Sequence, residues 1–163
     1  MATQTVRAIE VAFEPFYAWE NLEANSSTFK IGALLTRNAN GLMAEGGADV
    51  NMIYGVATRA GQNNTPSGGS YKTVSFTPVL PGTILEGNLV LAADGNLTLV
   101  GASHVGLRCG VIKRTTESDT PWAFDAGDTT DVRVKVIGLK DASGDVNGRV
   151  YAVVLASYIG WAA

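Results

Sequence analysis

Apolar residues in this chain recur at alternate positions in short runs, and those runs are broken by glycine- or asparagine-containing turns. Val132–Arg133–Val134–Lys135–Val136 shows the alternation in its strictest form. A period of two is that of a half-buried β-strand, so the valines are expected to face a core and Arg133 and Lys135 to face water or a partner. The same pattern predicts strands at Phe29–Thr36, Met52–Thr58, Ser70–Phe76, Asn88–Ala93, Leu97–Val100, His104–Lys113, Val132–Leu139 and Gly148–Ser157. Asn40–Gly41, Asp94–Gly95 and Asn147–Gly148 are turn dipeptides, because both residue types tolerate positive φ. Asp94–Gly95 lies between Leu89–Val90–Leu91 and Leu97–Thr98–Leu99, which predicts a hairpin. Helical spacing is confined to Phe16, Trp19 and Leu22, so one short helical turn is expected within Glu14–Leu22, with Pro15 in its first turn. Asp49–Ile53 reads as a tight turn. The expected architecture is all-β: a single small β-barrel or β-sandwich domain over residues 29–163, preceded by an extended N-terminal arm over residues 1–28.

Composition narrows the picture. The chain has 163 residues, enough for one domain with a real core. Nineteen glycines suit many short strands and turns better than helices. Charged residues make up 17%, below the roughly 25% typical of soluble domains, which suits a surface partly covered by partners. The net charge of −3 carries no basic stripe, so direct nucleic-acid binding is not expected. No apolar run reaches the length of a membrane helix, and Glu10 and Glu14 interrupt any signal-peptide core. Synthesis in a reducing cytoplasm is the expectation. Residues 60–70 are polar and glycine-rich, as in an exposed loop.

Candidate chemistry is sparse. The one histidine, His104, lies in a strand-like run, and no G-x-S-x-G elbow is present. The one cysteine, Cys109, excludes an internal disulfide and a cysteine zinc cluster, and it reads as a small buried side chain. Gly46–Gly47 and Gly68–Gly69 lack the context of a phosphate loop. Asp125, Asp128 and Asp131, and likewise Asp141, Asp145 and Asn147, place oxygen ligands near glycine turns. Neither group has the spacing of a calcium loop, and Asp and Asn enter turns simply by bonding their own backbone. No catalytic residue, cofactor or metal is assigned.

Aromatic residues are more informative. Phe13, Phe16, Tyr17 and Trp19 crowd one short stretch, and Tyr158 and Trp161 stand near the other end of the chain. Such side chains bury large apolar areas, so these segments either fold back on their own domain or dock on a neighbour. These six residues are the candidate partner-binding set, with strand addition as one mode of contact.

Read in order, several segments resemble those of the tailed-bacteriophage capsid decoration (cement) proteins. They are Phe29–Lys30–Ile31–Gly32–Ala33–Leu34–Leu35 before the Asn40–Gly41 turn, then Ile53–Tyr54–Gly55–Val56–Ala57, Phe76–Thr77–Pro78 and Glu86–Gly87–Asn88–Leu89. Trp122–Ala123–Phe124–Asp125 follows, then the stretch from Val134 to Asp141 and that from Gly144 to Tyr151, which is the most specific part. The resemblance covers roughly residues 29–155 and leaves out the N-terminal aromatic stretch. It implies a β-tulip-like domain and a virion protein on the outer capsid surface. Such a protein is a homotrimer at local three-fold positions that binds the major capsid protein, stabilises the shell and catalyses nothing. Two alternatives share the composition. One is another virion β protein of the tail tube, head–tail junction or fibre base. The other is a carbohydrate-binding β-sandwich using Trp19, Trp122 and Trp161.

Overall fold

The structure is a computed structural model that describes residues 2–12, 19–24, 28–47, 50–61, 72–92, 95, 99–114 and 121–161. Its eleven strands are β1 (Glu10–Val11), β2 (Trp19–Leu22), β3 (Leu34–Arg37), β4 (Met43–Glu45), β5 (Gly55–Ala57), β6 (Thr73–Pro78), β7 (Ile84–Val90), β8 (Arg108–Lys113), β9 (Trp122–Asp125), β10 (Val134–Leu139) and β11 (Arg149–Val154). Two 3-10 turns, Ala102–His104 and Ala156–Tyr158, are the helical elements among the described residues.

Five strands close into a barrel in the order β7–β11–β10–β8–β9, and β9 returns to β7 through a parallel pairing, Leu89 with Phe124 and Val90 with Asp125. On one edge β7 pairs with β11 along most of its length. Its other edge is shared: β1 pairs with Leu85 and Glu86, and β9 takes Leu89 and Val90. The second sheet runs β2–β6–β5–β3–β4. Met43 in β4 also bridges Glu23, just beyond β2, so this sheet curls until its outer strands meet at one end.

Alternation places the core. In β7, Leu85 and Leu89 point inward with Val134, Val136, Val150 and Ala152 of β10 and β11, while Leu34, Leu35, Val56 and Phe76 of the second sheet join the same cluster. Both sheets therefore share one apolar interior, and the fold is the all-β, single-domain architecture expected from the sequence. The hairpin turn between β3 and β4 follows its sequence signal. Gly41 adopts φ +76°, its N–H donates to the Asn38 carbonyl at 2.9 Å, and the Asn38 side chain accepts the Asn40 and Leu42 N–H groups at 3.0 Å. Asn147 takes φ +53° where Asn147–Gly148 was expected to turn. The Asp94–Gly95 hairpin rests largely on residues outside the described set, although Leu91 does bridge Gly95.

Three expectations are corrected, and the N-terminal segment is described with them. The short helix within Glu14–Leu22 is replaced over residues 19–22 by β2, which pairs with β6 through Trp19–Phe76, Glu20–Ser75, Asn21–Val74 and Leu22–Thr73. Pairing along a sheet edge outweighs the weak helical spacing. Residues 2–12 lie along the barrel and 19–24 belong to the second sheet, so the described parts of the expected arm are strands and straps of the domain itself. The predicted first strand begins only at Leu34, because Gly32 turns at φ +80° and the Ala33 N–H bonds the Lys30 carbonyl. Arg133 is buried rather than facing water. It precedes the first regular residue of β10, its Nε donates to the Val50 carbonyl at 2.7 Å, and its guanidinium lies 4.4 Å from the centre of the Tyr158 ring. Lys135 is exposed as expected.

The N-terminal strap is held by polar groups of β7, of β11 and of the turn that precedes β11. Asp145 accepts the Ala2 N–H and the Gln4 side-chain amide, each at 2.9 Å. Asn88, wholly buried, accepts the Arg7 N–H at 2.9 Å and donates to the Asn147 carbonyl at 2.6 Å. Arg149 pairs with Glu86 at 3.0 Å and also donates to the Ala8 carbonyl. Burying these groups is tolerable because they are hydrogen-bonded and paired.

Candidate functional site

The groups that sequence reasoning weighed for chemistry are occupied locally. His104 closes its own 3-10 turn, its Nδ1 lying 3.1 Å from the Gly101 N–H. Cys109 is fully buried in β8, and burial, with Asp125 and Asp128 nearby, pushes its thiol up to about 12. Asp125 accepts the Ala92 and Gly127 N–H groups at 3.0 and 2.8 Å. Asp128 accepts the N–H groups of Thr130 and Asp131 at 3.1 and 2.9 Å. Partial burial works against ionisation of Asp128, but the hydrogen bonds from Asp131 and Thr130 outweigh it and hold its carboxyl below the ordinary value. Asp141 accepts the Arg149 N–H at 2.8 Å. These acids build turns, and among the described residues no three histidine, cysteine or acidic side chains gather as a metal set.

The aromatic residues converge instead. Trp19, in β2, and Trp161, beyond the second 3-10 turn, meet edge to face with ring centres 5.3 Å apart. Distant segments bring them there for separate reasons. Trp19 is fixed opposite Phe76 by strand register. Trp161 is carried in by the segment after β11, where Ile159 bridges Ile53 and the Gly160 N–H bonds the Ile53 carbonyl at 2.9 Å. The Trp161 indole stacks over Phe76 at 6.4 Å, meets Tyr54 edge-on at 5.0 Å and donates its Nε1–H to the Tyr54 carbonyl at 2.6 Å. Such packing fixes an aromatic with few free rotamers.

The cluster grades from core to solvent. Phe76 is buried, Trp161 and Tyr54 are half-buried, and Trp19 remains 42% exposed. Leu22, on the same edge strand, is exposed to the same degree. Arg37 of β3 lies over the other side, its guanidinium carbon 5.6 Å from the Tyr54 ring centre and 6.0 Å from that of Trp161. These distances are those of cation–π contact.

Of the six candidate partner-binding residues, the structure brings Trp19 and Trp161 together and places Tyr158 apart from them, half-buried beneath Arg133. Phe13, Phe16 and Tyr17 lie outside the described residues. Tyr54, Phe76 and Arg37 were not singled out from the sequence. They sit in strand and turn segments, and nothing in their local spacing signals that the second sheet folds them under Trp161. Trp122, considered as a sugar platform, is 1% exposed, with its Nε1–H donating to Glu45 at 2.9 Å, so it offers no stacking surface. No family model, curated protein or solved structure matches the chain.

Proposed function

We propose that this chain is a non-catalytic virion protein of the capsid-decoration kind, which docks as a homotrimer at local three-fold positions on the outer surface of an assembled major-capsid lattice and stabilises the shell. The observation that carries the reading is the ordered series of segments from Phe29 to Tyr151 that resemble those of decoration proteins. The aromatic cluster supports a docking role. Trp, Tyr and Arg are the residue types that dominate binding energy in protein interfaces, and here a solvent-facing tryptophan rests on a rigid, half-buried base. A modest contact repeated three times gains strength through multivalency, and a correctly spaced lattice is needed to engage all three copies.

The test has two parts. Light scattering on the size-fractionated chain is expected to give a trimer, and the protein is expected to co-sediment with tailed-phage capsids stripped of their own decoration protein. A stable monomer that leaves capsids bare overturns the proposal. A closed ring larger than a trimer, with no affinity for capsid faces, points instead to a tail-tube or head–tail protein.

A further inference from the structure

Arg37 stands apart from the other cations at this surface. It is exposed, yet restrained from two directions. Its Nε donates to the Gly41 carbonyl at 3.1 Å, and its guanidinium face rests over Tyr54 and Trp161. Gly41 leaves the space that this pose needs, since a Cβ at that position would lie 3.2 Å from the Arg37 Nη2. The ion pairs among the described residues engage Lys113, Arg133, Lys140 and Arg149, and none includes Arg37. With Nε occupied by the turn and the face occupied by aromatic rings, the Nη edge is what remains for a ligand.

Arg37 also lines a cleft of about 350 Å³. Among the described residues that line it, Arg37 is the one that carries a charge, and Thr36 and Asn51 add a hydroxyl and an amide. A fixed guanidinium with polar neighbours suits a planar anion, because two parallel N–H groups match two carboxylate oxygens. One positive charge balances one carboxylate, whereas a phosphate dianion would be left half neutralised. The exposed Trp19 ring, reached through Trp161, adds an apolar contact that a small free anion would not use.

We propose that Arg37 reads an acidic side chain presented by the docking partner, with Trp19 covering an apolar group next to it. This rests on the docking reading above and gives the partner's surface a chemistry: a glutamate or aspartate beside an aliphatic or aromatic residue. Preorganisation is the physical basis, since a guanidinium already held in place loses little freedom when it pairs.

The probe is a blocked dipeptide, N-acetyl-leucyl-glutamic acid amide, titrated into the 15N-labelled full chain. The Arg37 Nε–H and Trp161 Nε1–H resonances are the readouts. Saturable shifts are expected with this peptide and not with its leucyl-glutamine counterpart. Sodium acetate and inorganic phosphate are expected to bind about tenfold or more weakly. Arg37→Gln should abolish the response and Arg37→Lys weaken it, with the remaining spectrum unchanged. Equal shifts with the glutamine peptide overturn the proposal, as does acetate or phosphate matching the glutamate peptide, which would mark a site for free anions. Capsid co-sedimentation separates this inference from the one it rests on. Equal retention of wild type and Arg37→Gln overturns the role of Arg37 and leaves the docking reading intact, while about tenfold weaker retention of the variant supports it. Failure of the wild type to bind capsids removes the docking reading, and the peptide titration then decides Arg37 independently.

Discussion

Trp19 and Trp161 touch, but they stand in opposite relations to the core. Trp161 is packed on three aromatic neighbours and donates a hydrogen bond to the Tyr54 carbonyl. Trp161→Ala is expected to lower unfolding free energy by about 2–4 kcal/mol in a urea titration, somewhat below the cost of emptying a full core site. Trp19 gives nearly half its surface to solvent. Trp19→Ala should cost about 1 kcal/mol or less in the same titration, yet weaken capsid association. A Trp19 variant that unfolds easily, or that binds as well as wild type, would remove this residue from the proposed contact. Cys109 supplies a separate check. A fully buried thiol pushed up to about 12 holds almost no thiolate at neutral pH. The folded protein is therefore expected not to react with a thiol reagent at pH 7, and to react fully once unfolded.

Among the elements, the central strands were legible and the peripheral ones were not. Val134 and Val136 announce β10 by strict alternation, and Asn40–Gly41 announces the turn that joins β3 to β4. β4 and β2 are three and four residues long, too short to show a period, and they exist because neighbouring strands offer them an edge. Burial of Arg133 was illegible for a related reason: the covering groups come from the Val50 loop and the Tyr158 turn, both remote in sequence. The candidate site was half legible. Aromatic richness marked Trp19 and Trp161, but their meeting on Tyr54 and Phe76 depends on how both chain segments pack on the second sheet. That sheet can be tested at Gly55, where an added Cβ would lie 2.8 Å from the Thr77 carbonyl oxygen and closer still to the Phe76 ring. Gly55→Ala is expected to destabilise by about 1–3 kcal/mol, measured by urea unfolding. The strap can be tested by pH. Hydrogen bonds from the Ala2 N–H and the Gln4 amide hold the Asp145 carboxyl below its ordinary value of 3.8. A depressed carboxyl contributes stability that is present above the ordinary value and lost as pH falls below it. The urea midpoint of the wild type should drop on acidification below about pH 4, and part of that drop should be missing in Asp145→Asn.

At the scale of the molecule, β7 ties the fold together. One edge binds β11, and the other is divided between β1 and β9. Its partners therefore come from the beginning, the later middle and the last strand of the chain. Sheets whose pairings are this distant in sequence close slowly, in milliseconds to seconds by the general trend. While the chain is being made, β7 emerges with β1 alone to pair with, and the barrel cannot shut until Arg149–Val154 has left the ribosome. Closure of the domain thus waits on the exposure of β11. A nascent chain arrested before β11 emerges is expected to remain protease-sensitive from β7 onward, whereas a chain long enough to expose Arg149–Val154 should become resistant in a single step. Protection that arrived strand by strand would show that β7 is not the keystone of closure.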